Sequence, residues 1–286
     1  MSTIVSEIEQ ARAQLEGGLD GLLELRPLPS VAMKVMEACR DEKMDARGLV
    51  QLMECDAAIS TRILSMVNSS LFGYSREVAS LNQAVVVLGR KSLASMAVAI
   101  ASEGVFASGE DGQDSRTRLF EHSLACAAIS RLLASQECFQ AESGEAFLAG
   151  LLHDVGKLLL IDVAPNYYSS SSSNPAEVDS IATEQEMFGV DHAALGAKFG
   201  ENWGLPAQIN HAIAHHHRSS CETNSALLTV TSLANRLAKS WGIGQEEIPQ
   251  DDNPGEWFET LDAEEVETLK ARAVQDFKEI KSLLGS

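Results

Sequence analysis

The residues of this chain that could do chemistry together are its seven histidines: His122, His153, His192, His211, His215, His216 and His217. One of them stands beside an aspartate inside an apolar run, Gly150-Leu-Leu-His153-Asp154-Val-Gly156-Lys157-Leu-Leu-Leu160. Two adjacent ionisable groups are costly to bury unless they are paired, hydrogen-bonded or bound to a metal. Leu151, Leu152, Val155, Leu158 and Leu159 recur at helical spacing, which predicts a helix junction inside a core. Lys157 follows Asp154 by three residues, so on a helix it shares a face with the carboxylate and can neutralise it. Taken alone, the motif is satisfied by a buried ion pair beside a core histidine. The remaining histidines open a second option. His211 and His215 share a helical face, and His216 points about a quarter turn away. Imidazoles from several helices, together with Asp154, form a nitrogen and oxygen donor set suited to a divalent cation. The triplet His215-His216-His217 equally reads as a solvated helix end, where histidine meets the helix dipole.

The elements that must position these groups read as helices throughout. Residues 3–16 form a polar-rich helix that Gly17-Gly18 interrupts. Arg26-Pro27-Leu28-Pro29 is extended, because proline biases the preceding residue away from the helix. Ser30, Asp45, Asp56 and Asp191 are predicted N-caps, and Ser80 begins a short helix. Gly89 separates a helix ending at Leu88 from one over 90–101. Further helices are expected over 116–135, from Glu145 through the central motif with a bend near Gly156, and from Pro175 to Phe188. Others are expected over 192–203, 206–217, 222–241 and 261–284. Ser108 to Ser115 reads as a loop or domain boundary, Ser169 to Ser173 as a surface loop and 244–260 as a linker. No strand alternation is visible, so the expected class is all-α. The expected organisation is an N-terminal extension (1–24), an N-terminal helical part (25–108), a helical core (116–242) and an acidic linker with a terminal helix (243–286).

Composition limits the functional classes. The chain has 286 residues, of which 45% are hydrophobic and 22% charged, and its formal net charge is −19. Such a field disfavours nucleic acid and anionic lipid as partners. No N-terminal targeting pattern and no apolar run approaching the roughly 20 residues of a membrane span is visible. The five cysteines are scattered without a C-x-x-C pair, which argues against disulfides and a zinc–thiolate site. Each cysteine reads as a small buried apolar residue in a reducing cytoplasm.

In order, His122, His153-Asp154, Lys157, His192 and His215-His216 resemble the HD superfamily of metal-dependent phosphohydrolases. The chain more specifically resembles the HDOD domain family, the HD-related output domain of bacterial signalling proteins. The matching stretches are Leu28 to Val35, Asp56 to Ser69, Ala84 to Gly89, Ala146 to Lys157, Phe188 to Ala197 and Trp203 to Pro206. The resemblance spans about residues 25–241. It implies an N-terminal helical subdomain packed on an HD-like helical core, a cytoplasmic bacterial setting and a role in signal transduction. It also implies a divalent metal (Fe, Mn, Mg or Zn) held by His122, His153 and Asp154, with His192, His215 and His216 as further candidate ligands. At the position where the related enzymes carry a distant aspartate, this chain has Asn235, and an amide oxygen is a weaker ligand than a carboxylate. The Gly-Tyr-Pro signature of the cyclic-dinucleotide-degrading branch is replaced by His217-Arg218-Ser219-Ser220. The leading expectation is a non-catalytic or weakly catalytic signalling module acting through a protein partner or a small nucleotide-like ligand. The alternatives are a metal-dependent phosphohydrolase using His153, Asp154 and Lys157, and a nucleotide sensor without turnover. Asn68-Ser69 is expected to be a turn, and Arg62 and Arg90 surface ion-pair groups.

Overall fold

The structure, a computed structural model, describes residues 2–24, 26–41, 43–109, 112–139, 141–170, 181–218, 225–244 and 261–284. Among these residues there is helix and no strand. The helices are α1 (Ser2–Glu24), α2 (Ser30–Arg40), α3 (Ala46–Glu54), α4 (Ala57–Val67), α5 (Leu81–Ala107), α6 (Gln113–Ala134), α7 (Ser143–Leu152), α8 (Lys157–Val163), α9 (Pro165–Ser170), α10 (Ile181–Phe188), α11 (His192–Asn202), α12 (Ala207–His215), α13 (Ala226–Trp241) and α14 (Ala263–Leu284). The expected 244–260 linker, most of the serine tract and the starts of the helices expected at Pro175 and Glu222 lie outside the described residues.

Local chemistry explains most boundaries. The side chains of Asp45, Asp56, Ser80 and Asp191 accept from backbone N–H groups in the first turns of α3, α4, α5 and α11. Such caps satisfy donors that have no partner within the helix. Ser30 departs from expectation: Pro29 is the cap, its fixed φ delivering the chain straight into α2 with Ser30 as the first helical residue. Gly18 kinks α1 but does not end it. Gly89 turns the chain at φ 80° inside α5, a left-handed conformation that a side chain would strain.

Helices α2, α3 and α4 pack on α5, which in turn lies against α7 and α6. The N-terminal helical part is thereby joined to the core that carries the histidines. Helix α5 is the one described helix long and apolar enough to cross a membrane, with mean hydropathy 1.6 over its apolar window. That window is 67% buried within the protein, as befits a central core helix. Helix α14 returns to α6 and α4, pinned by Arg131 donating to Asp276 at 2.9 Å and Lys281 to Glu121 at 2.7 Å.

A second pinning point fixes the segment after the central motif. Arg26 donates two 2.6 Å hydrogen bonds to the carboxylate of Asp162 on α8. It also donates to the carbonyl of Val105 at 2.6 Å and to the hydroxyl of Ser108 at 2.9 Å. Arg116 pairs with Asp162 from α6, and Trp203 Nε1 donates to the Arg26 carbonyl at 3.0 Å. This knot ties four separate segments around α8, whose first residue is Lys157.

The turn expected at Asn68-Ser69 and the ion pair expected of Arg62 are present, whereas Arg90 has its Nε buried without a hydrogen-bond partner among the described residues. Asn68 closes the turn after α4, donating to Leu64 and Val78 carbonyls at 2.9 Å and accepting from Val78 N at 2.7 Å. Arg62 pairs with Glu103.

Candidate metal centre

Three close backbone approaches assemble the centre. Helices α6 and α7 meet at Gly150, where a Cβ would sit 2.6 Å from the Cys126 carbonyl oxygen. The absence of that side chain lets α7 end beside the face of α6 that carries His122 and Cys126. His153 to Gly156 then form turns, with Lys157 N donating to Asp154 O at 2.9 Å. At Gly156 a Cβ would meet the His192 carbonyl at 2.0 Å, so only glycine allows the start of α11 to lie here. Gly196 admits Ile213 similarly, bringing α12 and its C-terminal histidines onto α11.

The carboxylate of Asp154 is the focus. Its Oδ2 lies 2.9 Å from Lys157 Nζ, 3.3 Å from His153 Nε2 and 3.7 Å from His122 Nε2. Its Oδ1 lies 3.2 Å from His192 Nε2 and 3.3 Å from His216 Nε2. All six residues are buried, and His153 and His192 are 0% exposed. The Lys157 pairing is the one expected from the three-residue spacing. Asn235, from α13, places its Oδ1 3.1 Å from His122 Nε2.

Of the sequence-derived candidates, the structure brings together His122, His153, Asp154, Lys157, His192, His216 and Asn235. It does not bring in His215. That ring packs edge-on against His211, 4.6 Å between centroids, on the outer side of α12. The correction follows from helix phase: His215 is still helical, whereas His216 is the C-cap and turns inward. His217, assigned above to a solvated end, reaches back so that its Nε2 lies 2.8 Å from His192 Nε2 while the residue keeps an exposed edge.

Outer contacts fix which ring nitrogen each imidazole presents. His153 Nδ1 lies 2.8 Å from the Gly150 carbonyl, and His216 Nδ1 lies 2.8 Å from the Ile213 carbonyl. A carbonyl only accepts, so each Nδ1 carries a proton, and in the neutral ring Nε2 then presents its lone pair inward. His192 is held by fully buried Glu184, whose Oε2 accepts from His192 N at 2.7 Å and Nδ1 at 2.6 Å. Tyr168 donates to the other Glu184 oxygen at 3.0 Å. Imidazoles anchored at Nδ1 and offering Nε2 are the usual arrangement of metal-ligating histidines.

The electrostatics agree. Burial, reinforced by His153, lowers His122 to about 3. Burial also lowers His216 to about 4 and pushes His217 down. Burial and Lys157 act to lower His192 as well, but Asp154 and Glu184 outweigh them and raise it to about 9. Desolvation opposes ionisation of Asp154, yet His153 and Lys157 hold its carboxyl well below the usual range. The result is a buried carboxylate between a charged His192 and the neutral rings of His122 and His216. His153 Nε2 and Asp154 Oδ1 have no hydrogen-bond partner among the described residues, an expensive arrangement for buried atoms. One proton at His192 Nε2 cannot serve the carboxylate and both facing imidazoles. A divalent cation can, so the donor set fits a metal. The donors fall into two groups, Asp154 with His192, His216 and His217, and His122 with Cys126 and His153.

Cys126, Glu184 and His217 were missed as functional candidates from the sequence. Cys126 stands four residues after His122, a spacing that marks nothing until the fold sets it beside the ring. Glu184 offers no signal either, since only the turn between α10 and α11 brings it under His192.

The HDOD domain profile matches residues 25–219. The chain belongs to the HDOD domain family. Solved HDOD-like structures share its fold. An HDOD domain protein of unknown function from Geobacter sulfurreducens superposes with a TM-score of 0.73 at 22% identity, covering 97% of this chain and 98% of that one. A protein from Marinobacter aquaeolei VT8, provisionally named a signal transduction protein, gives 0.72 at 23% identity, covering 99% of this chain and 65% of the other. A provisionally named phosphohydrolase from Shewanella amazonensis SB2B gives 0.68 at 23% identity, covering 96% and 98%. By sequence, an uncharacterised Treponema pallidum protein is 24% identical over 80% of this chain and 45% of its own length. A ribonuclease Y from Pelobacter propionicus matches 42% of this chain and 18% of itself. The HDOD chain thus spans less than half the length of the curated relatives it matches.

Proposed function

We propose that this HDOD protein is a bacterial, cytoplasmic signal-transduction module that binds a divalent metal at the Asp154 centre and relays a signal with little or no phosphodiester turnover. The observation that carries this reading is the closure of the centre. His122, His153, Asp154, Lys157, His192 and His216 are each at most 5% exposed, so a substrate could approach the centre only past the exposed edge of His217. The Asn235 amide beside His122 supports the same reading, because it brings a dipole where an acidic ligand would bring a charge. His122, His153, Asp154, His192 and His216 would hold the metal, with His217 at its accessible edge. The partner on this reading is another signalling protein or a small nucleotide-like ligand.

The second reading is a metal-dependent phosphohydrolase, favoured by the buried Lys157 ammonium and by the exposed edge at His217. A bound metal would there polarise a phosphoryl oxygen and lower the pKa of water. Lys157 would stabilise charge on the phosphoryl group.

The deciding test is an assay against cyclic dinucleotides and a generic phosphate ester with manganese, iron or magnesium supplied. Turnover at background level is expected. Robust turnover abolished by both His153→Ala and Asp154→Ala would establish the enzyme instead.

A further inference from the structure

Within the reading that the centre holds a metal, we infer that Cys126 is a thiolate ligand to it, completing a His122–Cys126–His153 set with Asp154. That set selects a borderline ion such as Zn²⁺, Fe²⁺ or Co²⁺ over Mg²⁺ or Mn²⁺. This reverses the sequence-based expectation that Cys126 is only a small apolar core residue.

Four observations carry the inference. Cys126 Sγ lies 3.5 Å from His122 Nε2, one helical turn along the same face of α6. The donor atoms of His122, Cys126 and His153 all lie within 4.8 Å of one another. His153 Nε2 is buried without a hydrogen-bond partner and belongs to the same group. Three of the separations also suit one ion. Bonds of about 2.0–2.3 Å arranged tetrahedrally place neighbouring donors roughly 3.3–3.7 Å apart. The separations are 3.5 Å for His122 to Cys126, 3.7 Å for His122 to Asp154 and 3.3 Å for His153 to Asp154.

Charge supplies the reason for a thiolate. Among the described residues Asp154 is the carboxylate touching this group, and Lys157 Nζ sits 2.9 Å from it, offsetting most of its charge. Asn235 and the imidazoles are neutral donors. A divalent cation placed here would be left nearly uncompensated in a buried site, which is strongly unfavourable. Burial and Asp154 push the Cys126 thiol up in the metal-free protein, so it ionises only against the cation itself, and then brings the missing negative charge. On binding, the S–H bond breaks, the S–metal bond forms and the proton passes to the buffer. A sulfur ligand then sets preference, since thiolates favour zinc and similar ions while magnesium and manganese favour oxygen.

The test is Co²⁺ titration of chelator-treated full-length protein without oxygen, read by absorption and calorimetry together. A near-ultraviolet thiolate-to-cobalt charge-transfer band should grow and saturate with binding. Cys126→Ser should remove the band and weaken Co²⁺ binding beyond the roughly 10–100-fold typical of losing an outer contact, with a smaller change for Mn²⁺. The reciprocal variant, with Cys39, Cys55, Cys138 and Cys221 all changed to serine, should keep the band. It decides the matter even if Cys126→Ser does not fold. Calorimetric Co²⁺ binding without the band, or loss of the band in the reciprocal variant, would refute the thiolate and leave the metal reading standing. No Co²⁺ binding at all would overturn both.

Discussion

Asp154 and Asp162 lie eight residues apart, on either side of the start of α8, and both are ringed by nitrogen groups. Their surroundings differ in kind. Asp162 meets two guanidinium groups, from Arg26 and Arg116, and is 26% exposed. The planar forks of arginine match a carboxylate bond for bond, so the cluster settles into one geometry. Asp154 meets one ammonium and four imidazoles and is 1% exposed. Imidazole has only one inward nitrogen, and three of these rings already spend Nδ1 on outer contacts. The carboxylate and lone pairs at Asp154 therefore face one another, which a structural ion pair would avoid and a metal requires. One aspartate holds the chain together; the other gathers donors at a cost in stability, as expected of a functional site.

The contrast breaks most sharply by removing each carboxylate. Asp154→Ala should abolish measurable divalent-metal binding, a loss beyond about 100-fold, because every donor of the centre is arranged about that side chain. Asp162→Asn should leave metal affinity unchanged and lower stability by about 2–3 kcal/mol. That is somewhat under the roughly 3–5 kcal/mol typical of breaking a fully buried pair, since water reaches part of this one. Thermal unfolding with and without Mn²⁺ separates the two. Wild type and Asp162→Asn should both gain stability on adding the ion, by linkage, and Asp154→Ala should not. A metal-induced shift that survives in Asp154→Ala would place the metal elsewhere.

Glu184 is the next test, because it is to His192 what Arg26 is to Asp162: a buried partner that fixes orientation. Glu184→Gln keeps the shape but replaces a charged acceptor of the His192 N–H groups by a neutral one. Loss of such an outer contact typically costs 10–100-fold in metal affinity. The expected result is about a tenfold loss by calorimetry, with the fold retained by circular dichroism. A change below twofold would mean that the backbone alone positions His192.

The two clusters also differ in how far they could be seen in the sequence. The His153-Asp154 pair, the glycines around it and the Lys157 spacing are local, and helix geometry gave the Asp154–Lys157 contact directly. The caps at Asp45, Asp56 and Asp191 were legible for the same reason. Arg26 and Asp162 are 136 residues apart, and no periodicity links them. Glu184 and Cys126 lay hidden differently. A buried glutamate looks like any polar helix residue, and a lone cysteine looks like core, until the tertiary fold sets each beside a histidine. The triplet at 215–217 was ambiguous because a helix end makes side-chain direction depend on a single residue of helix phase.

Asn235→Asp sharpens the contrast from the other side, by adding charge to the centre. The amide oxygen is 3.1 Å from His122 Nε2, so a carboxylate at this position lies within reach of the same ion. Divalent ions bind ionised oxygens more tightly than neutral ones. The expected gain is about tenfold in Mn²⁺ affinity, measured by calorimetric titration of chelator-treated protein at fixed pH and ionic strength. Unchanged affinity in a folded variant would mean that Asn235 touches His122 without facing the metal.

The smallest effect is expected at His215. His215→Ala should change metal affinity by less than about twofold, against a loss beyond about tenfold for its neighbour His216→Ala. His216 Nε2 stands 3.3 Å from Asp154 Oδ1 with its Nδ1 fixed on the Ile213 carbonyl, and both contacts vanish with the ring. His215 instead leans on His211, outside the centre. Stability should barely move either. A histidine in the last turn of a helix helps when charged, because the cation faces the negative end of the dipole. Desolvation and the neighbouring Arg218 lower the pKa of His215, so at pH 7 it is neutral and that contribution is absent. The measurement is Mn²⁺ titration of the two alanine variants side by side, with thermal unfolding at pH 7 as the control for folding. Equal losses from both would put His215 at the metal and show that α12 ends with a different helix phase.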